Sequence, residues 1–357
     1  MARFLVFVTV FCVFLGAFSF AQDENLSVSS VDISPNVSEL ISPATDRAIQ
    51  DALGYFRRKM DAGRVLGDGA FRNHSAIVAL VGMAFLASGS TPTEGADAKY
   101  VSRCVEILLE QARPGGVIAE EDVSGQSLMY GNGFALMFLA ECYGMSPEDE
   151  RMREVIQNSV RMLIAAQNEE GGWRYTPYRG EADVSVSACV VMALRAARNA
   201  GFFVPAEVIE KAREYFIKCR NPDGGFRYRT VEGESAFPRT AGVLTAMCAT
   251  GIYEGHELRS GLVYLVKTPN PSEEPFYFYA QYYAIQAFWL YDESAGAETP
   301  EAEKLSWRKW YLSAGGELLK LQKPDGTWNS TISVDCATAM AAVMLQVPNH
   351  FLPILQR

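Results

Sequence analysis

The stretch QNEEGGWRYTPYRGEADVSVSACVVMALRAARNAG (167–201) joins a turn rich in glycine and aromatic residues to a long apolar run. Gly171 and Gly172 allow backbone conformations that other residues adopt at a cost, so they favour a tight turn. The run after Asp183 has no continuous polar face, which is typical of a helix buried on every side. The stretch therefore predicts a turn, an acid and a buried helix, in that order.

Similar turns recur at 67–73, 113–120, 168–175, 221–229 and 323–330. We align them on the residue that follows the small pair, which selects Phe71, Val117, Trp173, Phe226 and Trp328. The gaps are 46, 56, 53 and 102 residues. Because the last gap is about two repeats long, we expect a degenerate turn near residue 277, within PSEEPFYFYAQYY (271–283). Self-similarity at such a period predicts six structural repeats.

Each repeat contains two helices of different character. The helix before the turn is amphipathic, as in SVRMLIAAQ (159–167), and the helix after it is more uniformly apolar. An amphipathic helix covers a core, whereas a helix that is apolar all round lies inside it. Six such pairs predict an all-α fold, an (α/α)6 toroid with inner and outer rings of helices, over residues 44–357. An open solenoid is the alternative architecture.

The first residues have the pattern of a secretory signal peptide. A positive start at Arg3 precedes the apolar run FLVFVTVFCVFLGAFSF, and small residues then stand before a cleavage position after Ala21. An uncleaved membrane anchor is the alternative. We therefore predict a signal peptide (1–21), a linker (22–43) and a secreted bacterial protein, periplasmic or extracellular, with no later membrane span.

Net charge argues against one class of partner, and the cysteine spacing argues against disulfides. The formal charge is −10, and loss of Arg3 makes it −11, so nucleic acid is not expected as a partner. The six cysteines after the signal peptide are widely spaced and form no CxxC motif. They predict buried free thiols rather than a disulfide framework.

The turns resemble the repeats of squalene–hopene cyclases and protein prenyltransferases. QNEEGGW (167–173) and QKPDGTW (322–328) carry the Gln, Gly and Trp of the QW-type motif, and the resemblance covers about residues 44–357. GGWRY, YYAIQAFW and PNHFLPILQR are similar to stretches of exported prenyltransferase/squalene-oxidase-repeat proteins of planctomycete-type bacteria. The resemblance implies an α/α toroid.

The catalytic motifs of these families are incomplete here. The resemblance to cyclases implies a DxDD acid, but in DVSVSA (183–188) only Asp183 matches, and Ser185 and Val186 stand where further carboxylates are expected. The zinc site of prenyltransferases has an Asp-x-Cys pair, whereas Asp335 and Cys336 are adjacent. We therefore predict no metal and no cofactor.

Starts of inner helices are expected at one end of the central cavity, and they supply the candidate site residues. Asp183 and Asp335 are the candidate catalytic acids. The candidate ligand-binding residues are His74, Tyr130, Asn132, Arg239, Tyr279, Gln281, Tyr282 and Tyr283. In the planctomycete-type relatives the resemblance implies histidines near positions 132 and 281, where this chain has Asn and Gln.

Simpler structural roles are also open for these residues. Asp183 and Asp335 have the position of helix N-caps, which accept amide N–H groups of the first turn. Trp173, Phe226 and Trp328 are expected to pack between repeats. The tyrosines of the fifth repeat could be core residues or a ligand surface.

We consider three functions. The first is binding of an apolar, isoprenoid-like or extended ligand in an aromatic-lined cavity. The second is a terpene-cyclase-like or glycan-active enzyme that uses Asp183 or Asp335, and the third is a scaffold for protein partners. The expected partner is therefore a hydrophobic small molecule, a glycan or a protein segment, and the sequence leaves open whether the chain is an enzyme.

Overall fold

The computed structural model describes residues 40–120, 128–146, 149–292 and 305–356. The predicted signal peptide and most of the predicted linker lie outside these residues. Within them the chain forms twelve α-helices and no β-strand. None of these helices is both long and apolar enough to cross a membrane.

The helices alternate between two rings. The outer ring contains α1 (Pro43–Asp61), α3 (Ala98–Glu110), α5 (Glu150–Ala166), α7 (Ala206–Lys218), α9 (His256–Lys267) and α11 (Trp307–Leu321). The inner ring contains α2 (Ser75–Leu86), α4 (Leu128–Met145), α6 (Val184–Asn199), α8 (Phe237–Ala249), α10 (Tyr277–Asp292) and α12 (Val334–Leu345). Every residue of α2 is buried, whereas α1 buries one stripe, as the two sequence patterns predict.

The inner ring is closed. Each inner helix packs against the next one in the chain, and α12 returns to pack against α2 and α1. The predicted (α/α)6 toroid is therefore confirmed, and the open solenoid is not observed.

The glycine turns press each repeat onto the next one. Gly171 has a φ of +100°, and a Cβ added there would lie 2.1 Å from the carbonyl oxygen of Lys211 in the next outer helix. Trp173 follows two residues later, is buried, and donates its indole N–H to the Leu163 carbonyl at 2.7 Å. Trp328 makes the same contact with Leu318 at 2.8 Å. The packing role predicted for the turn aromatics is confirmed.

The sequence alignment of the second turn is wrong by one residue. Gly116 there has a φ of +93°, and its added Cβ would meet the carbonyl of Asn158 in the next outer helix, as at Gly171. Ile118, two residues after Gly116, is fully buried and takes the place of Trp173, whereas Val117 does not. In the first turn, Phe71 is only half-buried.

The C-terminal segment (346–356) crosses the end of the ring at which the inner helices finish. Gln346 donates to the carbonyl of Ala84 at the end of α2, and the indole of Trp289 in α10 donates to Leu355 at 3.0 Å. The amide of Ile354 donates to the carboxylate of Glu141 in α4. The segment thereby ties inner helices from separate parts of the ring together.

The predicted free thiols are confirmed, because all six cysteines of the described residues are unbridged and five are buried.

Candidate functional site

The mouth of the ring, meaning the end at which the inner helices begin, holds most of the buried polar groups. Asp183 is the N-cap of α6, which confirms the predicted cap. Its Oδ1 accepts the amide N–H groups of Ser185 and Val186, each at 3.0 Å. Its Oδ2 is buried and has no hydrogen-bond partner among the described residues. One oxygen therefore caps the helix, and the other has no partner within hydrogen-bond distance, although the Tyr228 hydroxyl is close enough to favour the charged carboxylate.

The environment of Asp183 favours a protonated carboxyl. Burial raises its pKa from 3.8 to about 6, although the two capping amides, the nearby Arg174 and the Tyr228 hydroxyl act in the opposite direction. At pH 6 about half of the molecules therefore carry a proton on this group. A carboxyl group with such a pKa can donate or accept a proton near neutral pH.

Aromatic side chains meet across the ring just below Asp183. Helices α4 and α10 stand opposite each other, and Tyr130 of α4 contacts Tyr279 of α10 edge to face, with ring centroids 6.3 Å apart. One turn deeper, Phe134 meets Tyr282 in the same way at 6.1 Å. The centre of the ring is thus occupied by aromatic side chains.

Tyr130 and Tyr279 are within electrostatic reach of Asp183. Burial raises the pKa of both hydroxyls, and the charge of Asp183 adds to the effect. The Tyr279 hydroxyl is buried without a hydrogen-bond partner, while its ring remains half-buried. Both rings are therefore partly accessible at the mouth.

Residues of two turns cover Asp183 from outside. The hydroxyls of Tyr175 and Tyr228 share a hydrogen bond, and the guanidinium of Arg174 lies 5.3 Å from the ring centre of Tyr175. Arg174 also pairs with Glu181. This cover links the third and fourth repeats.

Asp335 is in a different electrostatic setting. It is fully buried, like Asp183, but Lys59 donates to its Oδ2 at 2.6 Å. The amide of Gly67 donates to the same oxygen, and the Tyr55 hydroxyl donates to Oδ1 at 2.8 Å. Both oxygens are engaged, and the ion pair joins the last inner helix to the first repeat.

The prediction that Asp335 caps its helix is wrong. The N-cap of α12 is Ser333, whose hydroxyl accepts the amide of Cys336 at 3.2 Å. Asp335 lies inside the first turn, where its side chain can reach outward to Lys59. A serine two residues upstream takes the cap because its short side chain bonds its own backbone easily.

His74 is the N-cap of α2. Its Nδ1 accepts the amide of Ala76, and its Nε2 is buried without a partner. Burial lowers its pKa from 6.5 to about 4, so the ring is neutral at pH 7. Its imidazole stands close to Gly131 of α4, where an added Cβ would be 3.1 Å from Cε1.

The other predicted ligand-binding residues are not gathered at the mouth. Asn132 is fully buried and bonds the amide of Ile118 and the hydroxyl of Ser159, so it links a turn to an outer helix. Arg239 donates to the backbone carbonyls of Phe226 and Glu234 and so supports the fourth turn.

Three further residues of α10 are buried in the core. Tyr282 packs on Phe134, and Tyr283 packs on Tyr279 with ring centroids 4.8 Å apart. Gln281 is 8% exposed. Its Oε1 and the hydroxyl of Tyr283 are buried and have no hydrogen-bond partner among the described residues.

Sequence reasoning missed the groups that complete these environments. Lys59 and Tyr55 lie on an amphipathic outer helix, and nothing in their local pattern distinguishes them from solvent-facing residues. Tyr175 and Tyr228 occupy equivalent places two residues after Trp173 and Phe226, and this repeated aromatic could have indicated their pairing. Within the described ranges, no three His, Cys, Asp or Glu side chains lie close enough to hold a metal ion.

Comparison with known proteins supports the fold. No protein-family model and no curated protein sequence matches this chain. The structure is similar to that of the type II terpene cyclase MstE from Scytonema, with a TM-score of 0.59 and 15% identity over 87% of this chain and 99% of the cyclase. A substituted variant of this cyclase has been observed with its substrate geranylgeranyl dihydroxybenzoate, and it matches at a TM-score of 0.60.

A glycan-active enzyme has the same fold. The GH76A α-1,6-mannanase from Salegentibacter sp. HEL1_6 matches with a TM-score of 0.56 and 12% identity, over 87% of this chain and 98% of the mannanase. An inactive variant of it has been observed with α-1,6-mannotriose. At such identities the likeness defines the α/α-toroid fold and leaves the activity to the residues of the site.

Proposed function

We propose that this toroid binds an organic ligand with an apolar, isoprenoid-like body at the mouth of the ring, and that Asp183 holds the polar group of the ligand. The observation that carries the proposal is the unpartnered, buried Oδ2 of Asp183. An unsatisfied polar atom in a protein interior costs about 1–3 kcal/mol, and folded proteins contain few of them. A hydroxyl or N–H group of a ligand would complete its hydrogen bonding.

The surroundings of Asp183 favour an apolar ligand body. The half-buried rings of Tyr130 and Tyr279 lie beside it, and the next layer is Phe134 and Tyr282. Binding pockets for small molecules combine such aromatic walls with a few polar groups. Because Tyr130 and Tyr279 touch across the ring, entry of a ligand requires that their side chains rotate apart.

The test is a comparison of two ligand classes by thermal unfolding. Geranylgeraniol should raise the melting temperature of the wild type in a saturable manner, and α-1,6-mannotriose should leave it unchanged, because a ligand that binds only the folded state stabilises it. In this arrangement the ligand hydroxyl donates to Asp183 and accepts from the unpartnered hydroxyl of Tyr279. Asp183→Asn and Tyr279→Phe should therefore each weaken geranylgeraniol binding about tenfold, the effect of losing one hydrogen bond.

Tyr215→Phe is the matched control. Tyr215 also has a buried hydroxyl without a partner, but it lies on the outer helix α7. This variant should bind geranylgeraniol like the wild type. Absence of any effect of geranylgeraniol on the wild type would refute the proposal, and stabilisation by mannotriose alone would favour a glycan ligand instead.

Acid catalysis by Asp183 is the second candidate function. The raised pKa of about 6 favours it, since such a carboxyl can deliver a proton to a bound ligand while the tyrosine faces steady a developing cation. Turnover of prenyl substrates should then decline as pH rises through about 6. Asp183→Asn should abolish the product, and product formation that survives in this variant would exclude the role.

The proposal includes export, and with it a place among the planctomycete-type exported proteins that the sequence resembles. Its support is the signal-peptide pattern of residues 1–21. Expression in a bacterial host followed by intact-mass measurement should give a chain that begins at Gln22. A full-length protein retained in the membrane would instead indicate an uncleaved anchor.

A further inference from the structure

A second depression lies outside the ring, and we call it the outer groove. It has a volume of about 580 Å³ and is bordered by the residues that follow α1, by the last turns of α3 and by the second glycine turn. It shares no lining residue with the mouth, because Asp183, Tyr130 and Tyr279 are absent from its wall. Its volume falls within the range of small-molecule sites.

The groove concentrates positive charge in an acidic chain. Three guanidinium groups line it, from Arg64, Arg103 and Arg113, against the carboxylates of Glu110 and Glu120. The groove therefore has a small excess of positive charge, although the whole chain has a formal charge of −10.

Both carboxylates of the groove have a partner, whereas one guanidinium group has no ion pair within the described residues. Glu120 accepts the amide N–H of Asn73, and Glu110 lies 3.9 Å from Arg103. Arg64 is exposed and forms no ion pair within the part of the chain that the structure describes. Arg113 donates its Nε to the carbonyl of Ala119, while its Nη2 is buried without a partner.

A buried side-chain amide in the same wall also lacks one hydrogen-bond partner. Gln111 is 8% exposed and donates its Nε2 to the carbonyl of Asn73 at 2.8 Å. Its Oε1 has no partner. A small adjustment of this side chain would present an acceptor to a ligand N–H or O–H group. Ile107 and Val65 provide the apolar part of the lining.

We propose that the outer groove is a second binding site, for a small molecule that carries one or two carboxylates. Guanidinium groups bind carboxylates through paired, charge-assisted hydrogen bonds. Arg64 is exposed and can do so directly, whereas Arg113 must turn its buried Nη2 into the groove. Gln111 accepts a hydrogen bond from a hydroxyl or amide next to the carboxylate.

The experiment uses the whole mature chain and isothermal titration calorimetry with succinate at constant ionic strength. Succinamide has the same shape without charge, and inorganic phosphate tests for general anion binding. Succinate should bind saturably at one site per chain, and succinamide should not bind. N-acetylalanine and galacturonate then distinguish a peptide-like carboxylate from a sugar acid as the source of the ligand.

Two variants decide whether the groove is responsible. Arg64→Gln should weaken succinate binding at least tenfold, because one charge-assisted interaction is lost. Arg72→Gln is the control, since Arg72 is exposed in the adjacent turn and does not line the groove. No binding to the wild type, equal weakening by both variants, or equal binding of phosphate and succinate would each overturn the proposal.

Discussion

Asp183 and Asp335 are both fully buried, both lie at the start of an inner helix, and they differ in their partners. Asp335 is held by Lys59, Tyr55 and the amide of Gly67, so its charge is neutralised and its oxygens are occupied. Asp183 uses one oxygen for its helix and leaves the other without a partner. The two aspartates are therefore equally buried, and they differ in the hydrogen bonds that their carboxylate oxygens make.

The difference shows how a repeat fold can assign two tasks to one residue type. At the junction of the last and first repeats, a lysine from an outer helix turns the aspartate into a link that closes the ring. In the third repeat no cation makes an ion pair with the aspartate, and aromatic residues surround it instead. The first arrangement stabilises the fold, and the second stores an unsatisfied group that a ligand can use.

The largest effect is expected for Asp335→Asn. This substitution leaves the buried ammonium of Lys59 without its counter-charge, which costs about 3–5 kcal/mol of unfolding free energy. Urea denaturation at pH 7 measures it. Asp46→Asn, at an exposed position in the first turn of α1, is the control and should change stability by under about 1 kcal/mol.

Replacing both partners of the ion pair sharpens this test. Lys59→Met combined with Asp335→Leu should cost less than the sum of the single substitutions, because neither residue then leaves an unpaired buried charge. Strict additivity would mean that the pair does not interact.

Asp183→Asn, in contrast, should increase the free energy of unfolding at pH 7. The folded pKa of Asp183, about 6, is higher than the ordinary value of 3.8, so the folded state binds the proton more tightly than the unfolded state. Stability is therefore greatest below pH 4 and falls as pH rises through 6, by about 3 kcal/mol at pH 7. The variant should be more stable than the wild type at pH 7 by up to that amount.

The control for Asp183 is the pH dependence itself. Urea denaturation at pH 3 should show no gain from the substitution, since both states of the wild type are then largely protonated at this group. A variant that is less stable than the wild type at pH 7 would show that Asp183 acts as a structural anion, as Asp335 does.

His74→Asn should change the stability at acidic pH by a similar amount. The folded pKa of His74 is about 4, below its ordinary value of 6.5, so its contribution is complete above pH 6.5 and is lost as pH falls towards 4. The wild type should lose about 3 kcal/mol over this interval through this group. The variant keeps an N-cap acceptor and should lack that slope in denaturation curves from pH 4 to 7.

Tyr279→Phe is expected to have the smallest effect. It removes a buried hydroxyl without a partner, so the unliganded protein should gain about 1 kcal/mol or remain unchanged. Tyr311→Phe is the contrasting substitution, because the Tyr311 hydroxyl donates to the Leu345 carbonyl at 2.8 Å and its removal should destabilise by about 1 kcal/mol. Equal losses in both variants would mean that the Tyr279 hydroxyl has a partner after all.

Local pattern was enough to predict the fold. Glycines with positive φ, such as Gly171 and Gly326, mark the turns, and the contrast between striped and fully apolar helices assigns the two rings. The one-residue error at Val117 arose because ARPGGVI offers two apolar candidates after its glycines and no aromatic residue to choose between them. Gly115 and Gly116 both have a positive φ, so only the close approach of Gly116 to Asn158 in the next outer helix identifies Ile118.

The site was predictable only in part. Asp183 as a cap follows from its neighbours in sequence, but the pairing of Lys59 with Asp335 joins residues 276 positions apart and leaves no local signal. For Asn132, the local sequence predicts a place at the site that the structure does not give it. Its position at an inner-helix start suggests the mouth, whereas its side chain turns towards an outer helix because Ser159 and the amide of Ile118 bind it there.

The C-terminal segment has a consequence for how the chain reaches its folded state. Its contacts with α2 and α4, together with the Lys59–Asp335 pair, join residues that lie more than 200 positions apart in the sequence, so the partners are synthesised at well-separated times. Contacts so distant in sequence form late and slow the search for the native state. The ring can therefore close only after the segment up to Leu355 has left the ribosome, and until then the apolar faces of the first and last repeats stay exposed to chaperones and proteases.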